Sequence, residues 1–248
     1  MSTSPKILTI WCTLFCLTLL SSAFAQQSDK DSMPAHLLQA QQLVTNLNGA
    51  VENVYGDGKR HIDWDAGHGA ARTVCSSFIT LLLQHTYGMQ ASDFQTWMDS
   101  TNPEADAYHD AIVARSGFKR ILHINALRPG DILAIKYTDH HLSSTGVEDT
   151  GHVMLVDEAP VMIQNARPII PGTQQYTVTV IDSSASGHGP TDTRANSDGR
   201  LTGGIGRGVI RLYANEDNRI VGYTWSDTDK SPYFCAPDRD IVAGRLVR

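Results

Sequence analysis

The chain has 248 residues and a formal net charge of −6, from 20 basic and 26 acidic side chains. These charges are interspersed rather than grouped, which excludes the basic surface of a nucleic-acid-binding protein and gives no indication of an anionic lipid surface as partner. After residue 25, no apolar stretch approaches the ~18 residues that a membrane-spanning helix requires.

The first 25 residues have the composition of a secretory signal peptide. Lys6 supplies a positive charge, Ile7–Leu20 is an apolar stretch, and Ala23 and Ala25 are the small residues that precede a cleavage site. We therefore expect cleavage after Ala25, a periplasmic or secreted location, and no integral membrane anchor after processing. Residues 26–248 are expected to form a single domain that acts as a monomer.

The hydrophobic pattern predicts helices first and strands later. Residues 35–54 fit an amphipathic helix, 55–72 a polar loop, 74–87 a buried helix with Thr73 as its N-cap, and 91–124 separate pieces of helix. Apolar or β-branched runs predict strands at residues 132–135, 152–156, 176–181, 209–213, 220–225 and 241–247. Helices followed by strands are typical of the α+β class, in which helices pack on an antiparallel sheet.

Cys75 lies in the first turn of the predicted helix 74–87. Backbone N–H groups at a helix N-terminus lack an intrahelical partner and carry the positive end of the helix dipole, so they stabilise an ionised thiol. They can also donate hydrogen bonds to the oxyanion that forms when a carbonyl is attacked. Ser76 leaves the approach uncrowded and is expected to contact substrate. The alternative is that Cys75 is a small apolar residue of the core.

A nucleophilic thiol needs a base, and the base needs a group that orients it. His152 begins a predicted apolar strand, so its imidazole should project at the strand end, and Asp182 ends the next long strand. The sequence therefore predicts a catalytic triad of Cys75, His152 and Asp182. Because the chain has 10 histidines, a structural or solvent-facing His152 is the alternative.

Four short motifs follow one another between residues 73 and 184. They read Val74-Cys75-Ser76-Ser77-Phe78, Leu127-Arg128-Pro129-Gly130-Asp131-Ile132, Gly151-His152-Val153-Met154-Leu155 and Val180-Ile181-Asp182-Ser183-Ser184. In this order they resemble the NlpC/P60 cell-wall peptidases of the papain-like superfamily. The resemblance implies a papain-like fold with the catalytic cysteine at a helix N-terminus, a motif core at 73–184 and C-terminal strands at 205–248.

The same resemblance implies a cysteine peptidase or amidase that needs no metal and no cofactor. Its expected partner is a peptide or a peptidoglycan fragment, cleaved in the stem peptide. The family's upstream Tyr-x-Trp-Gly-Gly segment has no full counterpart here, but Trp64 lies 11 residues before Cys75 and is expected to contact substrate.

A polar loop follows Asp182. Loops on a rigid scaffold often bind ligands, so His188 is expected to contact substrate and Arg194 to bind a substrate carboxylate through two hydrogen bonds. The alternative is a surface turn that contains an internal Asp–Arg pair.

Two other functions remain open at this stage. His140 and His141, together with His152, could form the metal site of a metal-dependent hydrolase. Alternatively, Cys75 and Cys235, the cysteines that remain after cleavage, could form a disulfide in a non-catalytic cell-envelope binding module.

Overall fold

The computed structural model describes residues 33–48, 50, 52–56, 58–65, 69–138 and 149–247. The chain divides into Met1–Met33 and the compact unit Pro34–Arg248. The predicted signal peptide, at residues 1–25, lies outside the described residues, as do His140 and His141. Within the described ranges, no helix is long and apolar enough to cross a membrane.

Four α-helices and twelve β-strands form the described part of the second unit. The helices are α1 (Ala35–Leu47), α2 (Cys75–Tyr87), α3 (Ala91–Met98) and α4 (Ala105–Ala114), and a 3-10 turn spans Ile124–Ala126. The strands are β1 (Glu52–Tyr55), β2 (His61–Ile62), β3 (Ala70–Thr73), β4 (Phe118–Ile121), β5 (Ile132–Tyr137), β6 (Gly151–Val156), β7 (Val161–Ile163), β8 (Thr173–Ser184), β9 (Gly204–Asn215), β10 (Ile220–Thr224), β11 (Tyr233–Phe234) and β12 (Arg239–Leu246). Each of the six predicted strands is present, whereas β1 to β4, β7 and β11 were not predicted.

The strands form two sheets. In the small sheet, β3 lies between β1, with which it is parallel, and β2, with which it is antiparallel. The large sheet has nine strands and only antiparallel pairs among its described residues, in the order β11-β10-β9-β8-β6-β5-β12-β4, with β7 also paired to β8. The strands β5, β6 and β8 are therefore central.

Both faces of the large sheet are buried. On one face, Ile132 and Ala134 of β5 belong to a core that also contains residues of all four helices. The alternate residues Leu133 and Ile135 belong to a second core on the other face, whose members come from strands and from the turn region around Ile124. Because successive side chains of a strand point to opposite faces, the continuous apolar run of β5 serves both cores.

The predicted fold class, an α+β papain-like arrangement of helices packed on an antiparallel sheet, is wrong. Strands account for 36% and helices for 24% of the described residues, and the nine-stranded sheet is the main element of the fold. An antiparallel bridge between His123 and Arg219 joins the chain after β4 to the chain before β10, so the sheet encloses the second core with its own strands. Runs that are apolar at every position, such as 132–135, indicate this burial of both faces; the order of helices and strands does not.

A glycine is required at the start of β6. Gly151 has a φ of 142°, a backbone conformation that side chains rarely adopt, and a Cβ at this position would overlap the carbonyl oxygen of Ile135 on β5. We expect Gly151→Ala to lower the free energy of unfolding by about 3 kcal/mol, because backbone strain and overpacking add. Urea denaturation measures this loss.

Gly172→Ala is the matched control for this substitution. Gly172 also has a positive φ, 74°, but no atom lies near its Cβ position. Its replacement should therefore cost only the conformational strain, about 1 kcal/mol. Equal losses in the two variants would show that the contact with Ile135 is unimportant.

Candidate active site

Cys75 is the first residue of α2 and is buried, with 5% of its surface exposed. The N-cap is Val74 rather than the predicted Thr73, and its apolar side chain offers no acceptor to the first turn. Oγ of Ser77 accepts a 2.9 Å hydrogen bond from the N–H of Val74 itself. Thr73 instead donates a 2.8 Å hydrogen bond from Oγ1 to Oγ of Ser183, the neighbour of Asp182 on β8. The N–H groups of the first turn have no intrahelical partner, and because Val74 has no polar side-chain atom, they remain available to another acceptor beside the thiol.

His152 and Asp182 lie on the neighbouring strands β6 and β8. These strands pair Leu155 with Ile181 and Val156 with Val180, which brings the start of β6 next to the end of β8. Nε2 of His152 lies 2.6 Å from Oδ2 of Asp182, and both side chains are buried. The structure therefore brings the predicted base and its predicted orienting carboxylate into direct contact.

The electrostatics of His152 connect it to Cys75. Burial alone would lower the pKa of His152, but the negative charge of Cys75 and hydrogen bonds with Asp182 and Cys75 raise it to about 10. Since Nε2 is held by Asp182, Nδ1 is the ring nitrogen that remains for Sγ of Cys75. This arrangement suits a thiolate beside an imidazolium.

Asp182 is the centre of a buried group of charges, called here the Asp182 cluster, which it forms with His188, Asp192 and Arg194. Nε2 of His188 lies 3.0 Å from Oδ2 of Asp182, and Nη2 of Arg194 lies 2.9 Å from Oδ1. Burial would raise the pKa of Asp182, but the charges of Arg194 and His188 and hydrogen bonds from His152 and His188 hold it well below its ordinary value of 3.8. Asp182 is therefore ionised.

Arg194 is fixed by the loop that carries it. Its Nε and Nη2 donate to Oδ1 and Oδ2 of Asp192 over 2.8 and 2.7 Å, and its Nη1 donates to the carbonyl of Gly204. Because these bonds orient the guanidinium, its contact with Asp182 is an ion pair rather than an aligned hydrogen bond. Gly206, opposite Asp182 in the β8–β9 register, leaves the room that Arg194 occupies.

The residues predicted to contact substrate have other partners in this structure. His188 and Arg194 contact Asp182. The internal Asp–Arg pair that was left open as an alternative is present between Asp192 and Arg194. Trp64 stacks on His85, with ring centroids 4.1 Å apart, and His85 lies about 15 Å from Cys75 along the helix axis. Ser76 is buried, and its carbonyl accepts a hydrogen bond from Thr80.

Sequence reasoning did not assign Asp192 the role of holding Arg194, and it did not identify Trp225 at all. The Trp225 ring packs against His152 and His188, with centroid distances of 4.7 and 4.4 Å. Its carbonyl lies 2.7 Å from Nδ1 of His188. The spacing Asp192-x-Arg194 was a usable signal for the ion pair, whereas nothing near Trp225 indicates its contact with a strand some 70 residues earlier.

The metal alternative with His140 and His141 is not tested by this geometry, because both residues lie outside the described ranges. The described residues contain a different group that could hold a metal. His152, Asp182 and His188 each place one ligand atom within 4.8 Å of the others, a spacing that suits a metal ion. Hydrogen bonds already join these atoms, however, and the positive guanidinium of Arg194 against Asp182 opposes a cation. Cys75 and Cys235 are both free thiols, so the disulfide of the binding-module alternative is not formed.

His152 and Asp182 should make stability depend on pH in opposite directions. The pKa of His152 is raised from 6.5 to about 10, so its contribution is complete below pH 6.5 and is lost as the pH rises through about 10. The pKa of Asp182 is lowered from 3.8, so its contribution is complete above pH 3.8 and is lost as the pH falls below the folded-state value.

We therefore expect both contributions to the free energy of unfolding to be complete between pH 3.8 and 6.5. Urea denaturation at a series of pH values measures the profile. His152→Gln should flatten the alkaline side, because the titrating ring is gone. An unchanged alkaline side in this variant would contradict the assignment to His152.

Comparisons with known proteins give one informative result. No protein-family model matches the chain, and no solved structure gives a significant match. The chain is similar to the "Uncharacterized protein R653" of Acanthamoeba polyphaga mimivirus, with 39% identity over 183 residues. The match covers 70% of this chain and 77% of the viral protein.

Proposed function

Because the chain belongs to the same family as the mimivirus protein R653, whose name states no activity, we propose a function from the site itself: hydrolysis of an amide bond with Cys75 as nucleophile. One observation carries this proposal. A thiol at the start of a helix lies beside a buried imidazole, and a carboxylate 2.6 Å away holds the far nitrogen of that imidazole. This arrangement supplies a nucleophile, a proton carrier and an orienting group.

In the acylation step, the thiol proton of Cys75 resides on Nδ1 of His152, and Sγ attacks the carbonyl carbon. The carbonyl oxygen becomes an oxyanion that accepts hydrogen bonds from the N–H groups at the start of α2. When the C–N bond breaks, His152 gives its proton to the leaving amine and a thioester remains on Cys75. Water then attacks the thioester and transfers a proton to His152, which releases the acid and restores the ion pair.

The substrate we propose is a peptidoglycan stem peptide. Two sequence features support it: the four motifs that resemble the NlpC/P60 peptidases, and the predicted export of the protein. The steps above require no metal and no organic cofactor. The resemblance enters the proposal through the motifs alone, since the predicted papain-like fold is not the fold observed.

Digestion of purified peptidoglycan tests this proposal. We expect mass spectrometry to detect a new amine and a new carboxyl group within the stem peptide, and Cys75→Ala to abolish this product. Cys235→Ala is the matched control and should retain full activity. A Cys75→Ala variant that still cleaves, combined with loss of cleavage in a chelator, would favour the metal-dependent alternative. Absence of cleavage in every stem peptide would overturn the substrate assignment.

A further inference from the structure

His188 is fully buried, and both of its ring nitrogens face hydrogen-bond acceptors. Nδ1 lies 2.7 Å from the carbonyl oxygen of Trp225, and Nε2 lies 3.0 Å from Oδ2 of Asp182. A carbonyl and an ionised carboxylate can only accept, and a neutral imidazole can donate from only one nitrogen. Satisfying both contacts therefore requires a proton on each nitrogen, so His188 carries a positive charge.

The charged groups at the site come from four parts of the chain and balance one another. Cys75 on α2, His152 on β6 and Asp182 on β8 meet His188, Asp192 and Arg194 from the loop after β8. With a thiolate–imidazolium pair, three of these six groups are negative and three are positive. Asp182 contacts three cations at once, His152, His188 and Arg194, so it shares its negative charge among them.

We propose that His188 is a positioning residue that acts on His152 through Asp182, an inference that rests on the proposed function. Its hydrogen bond fixes Oδ2 of Asp182 where Nε2 of His152 can donate to it. Its charge limits how strongly Asp182 stabilises the imidazolium of His152, which must give up its proton to the leaving amine. Without His188, His152 would hold its proton more tightly.

Two substitutions separate the hydrogen bonds of His188 from its charge. The amide nitrogen of glutamine can take the place of Nε2, so His188→Gln keeps a donor toward Asp182 without the charge. The amide nitrogen of asparagine can take the place of Nδ1, so His188→Asn keeps the donor toward Trp225 and loses the contact with Asp182. His109→Gln is the matched control, because His109 also lies between two acceptors, Asp110 and Asp240, in another part of the protein.

The measurement is the rate at which iodoacetate and iodoacetamide alkylate Cys75 across the pH range, followed on the Cys75 peptide by mass spectrometry. Iodoacetate is an anion and reacts faster beside a protonated His152. The ratio of the iodoacetate rate to the iodoacetamide rate therefore falls when His152 loses its proton. We expect this fall to move about 1 pH unit higher in both His188 variants, and to stay in place in His109→Gln. At pH 7, His188→Asn should be alkylated more slowly than His188→Gln.

The outcomes distinguish failure of the proposed function from failure of the role assigned to His188. If the ratio of the two alkylation rates in the wild type shows no fall with pH that depends on His152, the proposed function fails and the inference fails with it. If the wild-type fall is present and neither His188 variant moves it, the inference alone is overturned and His188 has only a structural role. Circular dichroism confirms that each variant is folded, and His188→Gln keeps the test decisive if His188→Asn does not fold.

Discussion

His152→Ala is expected to slow the alkylation of Cys75 by iodoacetamide at pH 7, and the hydrolysis of the stem peptide, by about 100-fold or more. His152 holds the thiol proton before attack and returns it to the leaving amine, so its removal affects both the nucleophile and the leaving group. The loss should be in the maximal rate rather than in substrate affinity, because the imidazole acts on the reacting atoms. Steady-state kinetics and peptide-level alkylation measure the two effects.

His85→Ala is the matched control for this substitution. His85 lies on the same helix as Cys75 but stacks on Trp64 toward the other end of that helix. We expect its replacement to leave the alkylation rate of Cys75 within about twofold of wild type, since no charge next to the thiol changes. If His152→Ala and His85→Ala had equal effects, His152 would not be the base.

Asp182→Asn is expected to lower the free energy of unfolding by about 3–5 kcal/mol. An asparagine cannot serve as counter-ion to His152, His188 and Arg194, which would leave positive charge buried without compensation. The same change should reduce the rate of stem-peptide hydrolysis, because an amide can donate to Nε2 of His152 and favour the wrong tautomer. Urea denaturation and kinetics at pH 6 measure the two losses.

Asp157→Asn serves as the control for the loss of a buried carboxylate. Asp157 is buried, accepts a hydrogen bond from Gln41 and pairs with Arg207, away from His152. We expect it to lower stability without changing the alkylation rate of Cys75. If both aspartate variants lost stability and retained the wild-type rate, Asp182 would be a structural residue only.

The strands that the sequence predicted are those with apolar or β-branched runs, such as residues 176–181, which lie within β8. Strands β1, β2 and β3 were missed because each has two to four residues and depends on pairing with distant segments rather than on its own pattern. The fold class was wrong for a different reason. The order of helices and strands does not reveal that a sheet curls around a second core; the continuous apolar runs of β5 and β6 carry that information.

At the candidate site, the sequence predicted Cys75, His152 and Asp182 as a group because each stands at or near the end of a predicted helix or strand. The roles of His188 and Arg194 could not be read in the same way. Whether a polar loop turns toward solvent or folds back against the sheet depends on pairings such as Arg194 with Asp192, and these form only in three dimensions. Trp225 follows β10 and packs on the second core, so its contact with both histidines depends on how the sheet encloses that core.

The sheet order also determines when the site can form during folding. Strand β12 comes last in the chain but lies between β5 and β4, and β9 pairs with β8 along its full length. Strand β8, which carries Asp182, is therefore completed by β9, and β5, the neighbour of the His152 strand β6, is completed by β12. Both of these partners lie beyond residue 184. A fragment truncated to the four motifs would expose unpaired strand edges and aggregate. During refolding, reactivity of Cys75 should thus return together with the last strand pairings, without an active intermediate.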